Sequence, residues 1–177
     1  EELQSMEAVQ FIKQLSPVLP VLSRNNLEVP FITCDEMFKY NKDKNLSLWE
    51  LAVRYESIRG NISTEEVFER MREIVRIMQS SINEGLKGTK YEDRILGSQS
   101  PKFKKMNEEG KLVDGNVLNQ IVMYVSAMME VKSSMGVIVA APTAGSCGAL
   151  PGAVLATANS MKLPEDEAVQ AMLAAGL

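Results

Sequence analysis

Apolar residues recur at helical spacing along most of this chain of 177 residues. The most regular stretch carries six of them on one face: Val67, Met71, Ile74, Val75, Met78 and Ile82. Their spacing predicts one long helix that ends near Gly85. Ser63 followed by Glu66 fits a capping box at its start. The methionines on this face are interpreted as core residues rather than as metal ligands.

Similar spacing and local start signals predict further helices. Two short helices are expected over residues 35–40 and 47–58, and a buried helix over residues 116–131 with Asp114 as its cap. Pro164 followed by three acidic residues is typical of a helix's first turn. Asn119, a polar exception in the buried helix, is expected to bond a neighbouring backbone group.

Two stretches depart from the helical pattern. Residues 85–116 read as a long polar connection, and residues 137–141 are the one stretch that resembles a strand. A lone strand cannot form a sheet, so residues 137–141 are interpreted as a helix end or an extended connector. The predicted fold class is therefore all-α.

Residues 133–160 read SSMGVIVAAPTAGSCGALPGAVLATANS and contain no charged residue. The absence of charge predicts that this segment is buried. Pro151 suits the first turn of a helix, so the loop before it is expected to face the amides and positive dipole of a helix N-terminus. Cys147 in that loop is a candidate nucleophile or metal ligand beside an anion. The alternative is a buried cysteine in a tight turn between helices.

The run SSMGVIVAAPTAGSCGALPGAVLA closely resembles the alpha chain, or catalytic domain, of the iron-sulfur-dependent L-serine dehydratases. The resemblance is most specific at APTAGSCG followed by PG, and it extends more weakly over residues 46–177. It implies that Cys147 is a ligand of a [4Fe-4S] cluster, and that Thr143 and Gly145 lie at the substrate. Many relatives have asparagine where this chain has Ala144, which leaves only backbone contacts to substrate at that position.

The same resemblance implies an activity and partners. A glycine-rich turn followed by a lysine-containing helix matches Gly97, Ser98 and Lys102, so Lys102 becomes a candidate cation for the substrate carboxylate, against a solvated basic patch. The implied reaction converts L-serine to pyruvate and ammonia, with one cluster iron as Lewis acid. The family also implies a beta subunit or a fused regulatory domain, in a homo- or hetero-oligomer.

Three rival functions share these features. An L-cysteine desulfidase of the same superfamily would use the same loop to eliminate sulfide. A pyridoxal-phosphate enzyme would hold phosphate in the glycine-rich loop and form a Schiff base with a lysine. A non-catalytic helical module would use the small residues for close helix packing.

Composition and charge exclude some classes of function. The net charge of −4 and the pI near 5.1 disfavour nucleic-acid binding. No apolar run reaches the ~20 residues that span a bilayer, and no signal peptide is recognisable, so a cytoplasmic protein is expected. The chain has no histidine, so an imidazole base must come from elsewhere. Cys34 is interpreted as structural, and both cysteines are expected as thiols.

The domain prediction has two parts. Residues 1–32 are interpreted as a linker or docking arm that begins with an amphipathic helix, breaks near Pro17 and Pro20, and continues as extended chain. Residues 33–177 are interpreted as the N-terminal part of the helical catalytic domain. The start without methionine and the end within a helical pattern favour a fragment.

Overall fold

The computed structural model describes residues 8, 9, 12 and 29–177. Within them the chain forms helices and no strand, which confirms the all-α prediction. The predicted N-terminal helix, and most of the arm over residues 1–32, lie outside the described residues. The helices are α1 (Cys34–Asn41), α2 (Leu48–Gly60), α3 (Thr64–Lys87), α4 (Ser100–Glu108), α5 (Asn116–Ser133), α6 (Ser146–Met161) and α7 (Glu165–Ala175).

The long helix predicted from the apolar face is α3. Four residues of that face are buried, namely Val67, Val75, Met78 and Ile82. Ser63 caps α3, since its hydroxyl accepts the Glu66 N–H at 3.1 Å. The second half of the predicted capping box does not form, because the Glu66 carboxylate bonds to Arg70 instead of reaching back.

The first two helices begin with side-chain bonds that the pattern did not single out. At α1 the capping box is complete: the Thr33 hydroxyl accepts the Glu36 N–H at 3.3 Å, and Glu36 Oε2 accepts the Thr33 N–H at 3.2 Å. At α2 the Ser47 N–H and hydroxyl both donate to Glu50 Oε2, at 2.8 and 2.7 Å. The pKa of each glutamate is lowered, at Glu36 mainly by the N–H groups of Ile32 and Thr33 and at Glu50 mainly by the Ser47 hydroxyl.

The start of α5 differs from the prediction. Gly115, and not Asp114, is the N-cap, and no side chain caps the first turn. The Asn119 side chain instead donates to the Val113 carbonyl at 2.9 Å. The prediction that Asn119 bonds a neighbouring backbone group is thus confirmed. The bond fixes the segment just before α5, where Asp114 was expected to cap the helix.

The polar connection over residues 85–116 contains α4, which the apolar pattern alone did not predict. The connection is tied to the last turn of α5, because the Ser133 hydroxyl accepts the N–H groups of Ile95 and Leu96 at 2.9 and 2.8 Å. The resemblance to a family with a lysine-containing helix did indicate α4.

α5 is the centre of the packing and contacts α3, α4 and α6, while α7 closes the core against α2, α3 and α6. The backbones of α3 and α5 touch at Gly85, where an added Cβ would lie 2.3 Å from the Ala127 carbonyl oxygen. No helix in the described part is long and apolar enough to cross a membrane. Residues 137–141 form a connector without regular structure, in agreement with their interpretation.

Candidate functional site around Cys147

A tight turn leads from the connector into α6. Gly145 is the N-cap and has a φ of 86°, a left-handed conformation that glycine adopts without strain. The Ser146 hydroxyl donates to the Thr143 carbonyl at 2.5 Å and accepts the Thr143 N–H at 3.1 Å. The N–H and the carbonyl of Thr143 are thus both bonded within the turn.

Cys147 is the second residue of α6 and carries a free, buried thiol. Cys147 does lie at a helix N-terminus, but inside the helix and not in the loop before it, and the predicted position of Pro151 in the first turn is wrong. The helix begins at Ser146, and Pro151 lies inside it. Because Pro151 has no N–H, it cannot bond the Cys147 carbonyl, which is the acceptor four residues earlier.

The turn before Cys147 is more exposed than the sequence predicted. Pro142, Thr143 and Ala144 are exposed, whereas Cys147 and Gly148 are buried. Small uncharged residues tolerate burial without requiring it, and the hydrogen bonds within the turn do not depend on exclusion of water. The site is therefore an exposed turn that leads to a buried thiol.

Helix α5 supports the first turns of α6 from behind. A Cβ added at Gly148 would lie 2.9 Å from the Met129 sulfur, and one added at Gly152 would lie 2.5 Å from Val125 Cγ2. Close helix packing, considered above as the sole role of the small residues, explains these two glycines. It does not explain Gly145, where an added Cβ would meet no atom within 4 Å.

The predicted substrate residues fall into two groups. Thr143, Ala144 and Gly145 adjoin Cys147 in one turn, as their sequence positions require. Lys102 lies exposed on α4, and no hydrogen bond or ion pair in the described part joins it to this turn. Its proposed role stays a prediction.

The described part of the chain has two free cysteines, Cys34 and Cys147. Iron-sulfur clusters are held by several cysteine thiolates. Among the described residues no group of three or more cysteine, histidine or acidic side chains is arranged for a metal ion. Cys34 is exposed at the start of α1, so it is a surface residue and not part of the core. Among the described residues, Cys147 alone combines a buried thiol with a helix N-terminus, so this part of the chain could supply one ligand of a cluster.

One buried polar residue was missed by the sequence interpretation. Glu130 on α5 is only 3% exposed, and its Oε1 accepts the N–H groups of Gln99 and Ser100 at the start of α4. The sequence does contain a signal that could have singled out this residue. Glu130 is the one charged residue within residues 116–131, which are otherwise apolar or neutral.

An all-α domain with a cysteine at the N-terminus of a glycine-rich helix is thus the class of structure observed. Residues 43–177 match the family model described as serine dehydratase alpha chain, so the chain belongs to this family. The matched region begins in the turn between α1 and α2 and includes the whole Cys147 site.

Three curated relatives carry the same family name. The chain is 25% identical over 146 residues to the probable L-serine dehydratase alpha chain of Bacillus subtilis, covering 82% of this chain and 49% of that one. It is 25% identical to the L-serine dehydratase alpha chain of Peptoniphilus asaccharolyticus, covering 70% and 43%. It is 28% identical to an L-serine dehydratase of Streptomyces coelicolor, covering 88% and 34%. The chain thus spans about half, or less, of the length of these relatives.

Proposed function

We propose that this chain is part of an L-serine dehydratase, a lyase that converts L-serine to pyruvate and ammonia. Membership of the serine dehydratase alpha-chain family supports the reaction class. The observation that carries the proposal is the buried free thiol of Cys147, located where an exposed turn enters α6.

The proposed cofactor is a [4Fe-4S] cluster with Cys147 as one ligand. The helix N-terminus favours the negative charge of a metal-binding thiolate, and Gly145, two residues before Cys147, has open space where a side chain would be. When bound, the cluster supplies a Lewis-acid iron that makes the β-hydroxyl of serine a better leaving group.

The turn before Cys147 is proposed to orient the substrate carboxylate. The Thr143 N–H already donates to Ser146. The proposed contact of Thr143 with substrate is therefore assigned to its side-chain hydroxyl, since Thr143 is exposed. Ala144 has no polar side chain and contributes backbone groups, as does Gly145. Lys102 is kept as a second proposed contact, which requires that other parts of the protein bring α4 and the substrate together.

The remaining parts of the machinery are assigned outside this chain. The chain contains no histidine, so a histidine base for the α-proton would come from another segment or subunit. Two of the relatives are named alpha chains, which supports a companion beta subunit within an oligomer. A cytoplasmic location belongs to the same proposal, because free thiols and an iron-sulfur cluster suit a reducing compartment.

The test is Cys147→Ser in the intact protein, reconstituted with iron and sulfide without oxygen. We expect lower iron and acid-labile sulfide content, and ammonia release from serine at least ~100-fold slower, because a cluster ligand is lost. Cys34→Ser is the matched control and should retain both properties. Turnover of cysteine measured beside that of serine separates the dehydratase from a desulfidase.

Two results would contradict the proposal. The first is a wild-type protein that, with its chain intact, contains neither iron nor sulfide after reconstitution. The second is unchanged ammonia release in Cys147→Ser.

A further inference from the structure

A buried carboxylate lies at the junction of α4 and α5, on a part of α5 that the Cys147 turn does not use. Glu130 Oε1 accepts the N–H of Gln99 at 2.8 Å and that of Ser100 at 2.9 Å. The carboxylate therefore sits directly on the N-terminus of α4, whose amides and dipole favour a negative charge.

The second carboxylate oxygen has no partner. Glu130 Oε2 is buried and makes no hydrogen bond to any described residue. The hydroxyl of Ser100, a residue that is completely buried, is likewise without a partner. Ser134, the C-cap of α5 and four residues after Glu130, has a second buried hydroxyl in this condition. Orphaned buried oxygens are rare in folded proteins, where a water molecule or an ion satisfies such groups.

In addition, no side chain of the described part balances the negative charge of the Glu130 carboxylate. No lysine or arginine of the described part forms an ion pair with Glu130, although an isolated buried charge strongly destabilises a fold. A cation would satisfy the oxygens and balance the charge together.

We propose that Glu130, Ser100 and Ser134 form a binding site for a hard monovalent cation such as K⁺. Carboxylate and hydroxyl oxygens suit hard cations, and a single carboxylate matches a single positive charge. Mg²⁺ fits less well, because it retains several waters and this site is enclosed. The bound ion joins the start of α4 to the last turns of α5.

The test is direct binding of ⁸⁶Rb⁺, a K⁺ substitute, to the intact protein by equilibrium dialysis, with choline chloride holding the ionic strength constant. We expect roughly one ion per chain and a higher Tm in KCl than in choline chloride. Glu130→Gln keeps the side-chain shape and removes the charge, so it should weaken Rb⁺ binding by about tenfold or more. Glu84→Gln, an exposed glutamate on α3, is the matched control and should bind as wild type does.

Ser100→Ala is the second variant, and it decides the matter if Glu130→Gln does not fold. It removes one orphaned oxygen without changing charge, and we expect weaker Rb⁺ binding and a smaller K⁺ effect on Tm. The proposal is overturned if the wild type binds no Rb⁺ and has the same Tm in both salts, as a site holding only water would. It is also overturned if binding is unchanged in the folded variants. None of these measurements involves serine turnover, so their outcome is independent of the proposed function.

Discussion

Gly148 and Gly152 lie one turn apart on α6 and face the same helix, but their surroundings differ. At Gly148 the nearest atoms to an added Cβ belong to the flexible Met129 side chain, at 2.9 and 3.1 Å. At Gly152 they include the Val125 backbone, with its nitrogen at 3.0 Å and its Cα at 3.2 Å. A side chain can move aside, whereas the backbone of a packed helix cannot do so without disturbing its neighbours.

We therefore expect Gly152→Ala to lower the free energy of unfolding by about 1–3 kcal/mol through overpacking. Gly148→Ala should change it by less than ~1 kcal/mol, because Met129 can adjust and alanine favours a helix over glycine. Urea unfolding followed by circular dichroism measures both changes. Gly97→Ala, where an added Cβ meets no atom within 4 Å, is the control. Equal destabilisation by both helix variants would contradict the packing account.

Between elements, α3 and α7 are joined by an ion pair far apart in sequence. The Arg76 guanidinium donates from Nε and one terminal nitrogen to the two carboxylate oxygens of Glu165, both at 2.8 Å. These hydrogen bonds lower the pKa of Glu165, and the charge of Arg76 adds to the effect. The pair is exposed, so water and salt screen it and its contribution to stability is small.

The pH dependence of this ion pair follows from the direction in which the pKa of Glu165 shifts on folding. The pKa of Glu165 is lower in the folded than in the unfolded chain, so its stabilisation is complete above the unfolded pKa near 4.5 and disappears as pH falls through the folded pKa. Glu165→Gln should thus destabilise the protein at pH 7 and make progressively less difference as pH falls below 4.5, as measured by urea unfolding. Glu167→Gln removes a charge from the same first turn without removing this pair. The same pH dependence in both variants would show that the dipole, and not Arg76, is responsible.

At the scale of the whole molecule, α5 holds the other helices together. Met128 in its middle is completely buried and belongs to the common core. The same helix supports the glycines behind Cys147 and carries the carboxylate beneath α4. Loss of packing at the centre of α5 should therefore destabilise the whole domain.

Met128→Ala is expected to reduce the free energy of unfolding by about 2–5 kcal/mol, because buried contacts are lost and a cavity remains. Met161→Ala removes the same side chain at a position that is 62% exposed, and should have little effect. Thermal or urea unfolding of the two variants compares them directly. A loss of similar size at both positions would contradict the central place of α5.

Repeating apolar residues and local capping signals were sufficient to predict most of the helices. Val67 and Ile82 mark the buried side of α3 at helical spacing, and Pro164 marks the start of α7. The start of α6 was misplaced because Gly145 and Pro151 are both start signals. The first acts here as an N-cap with positive φ, and the second is accommodated within the helix.

α4 could not be found from its own apolar pattern. Its nine residues lie in a polar segment, and its first amides are bonded to Glu130, which is 31 positions from Gln99 in sequence. Nothing near Ser100 indicates which distant side chain will meet that helix. Exposure of the turn at Thr143 is equally non-local, because it depends on which elements cover the turn.

Helix periodicity and turn chemistry are properties of neighbouring residues, and therefore the order of amino acids was enough to establish an all-α chain with Cys147 among small residues near a helix start. The contact of Gly152 with Val125, the burial of Glu130 and the exposure of the turn at Thr143 cannot be read from neighbouring residues. They depend on how helices from distant parts of the chain pack, and packing is settled by the shapes of all the partners together.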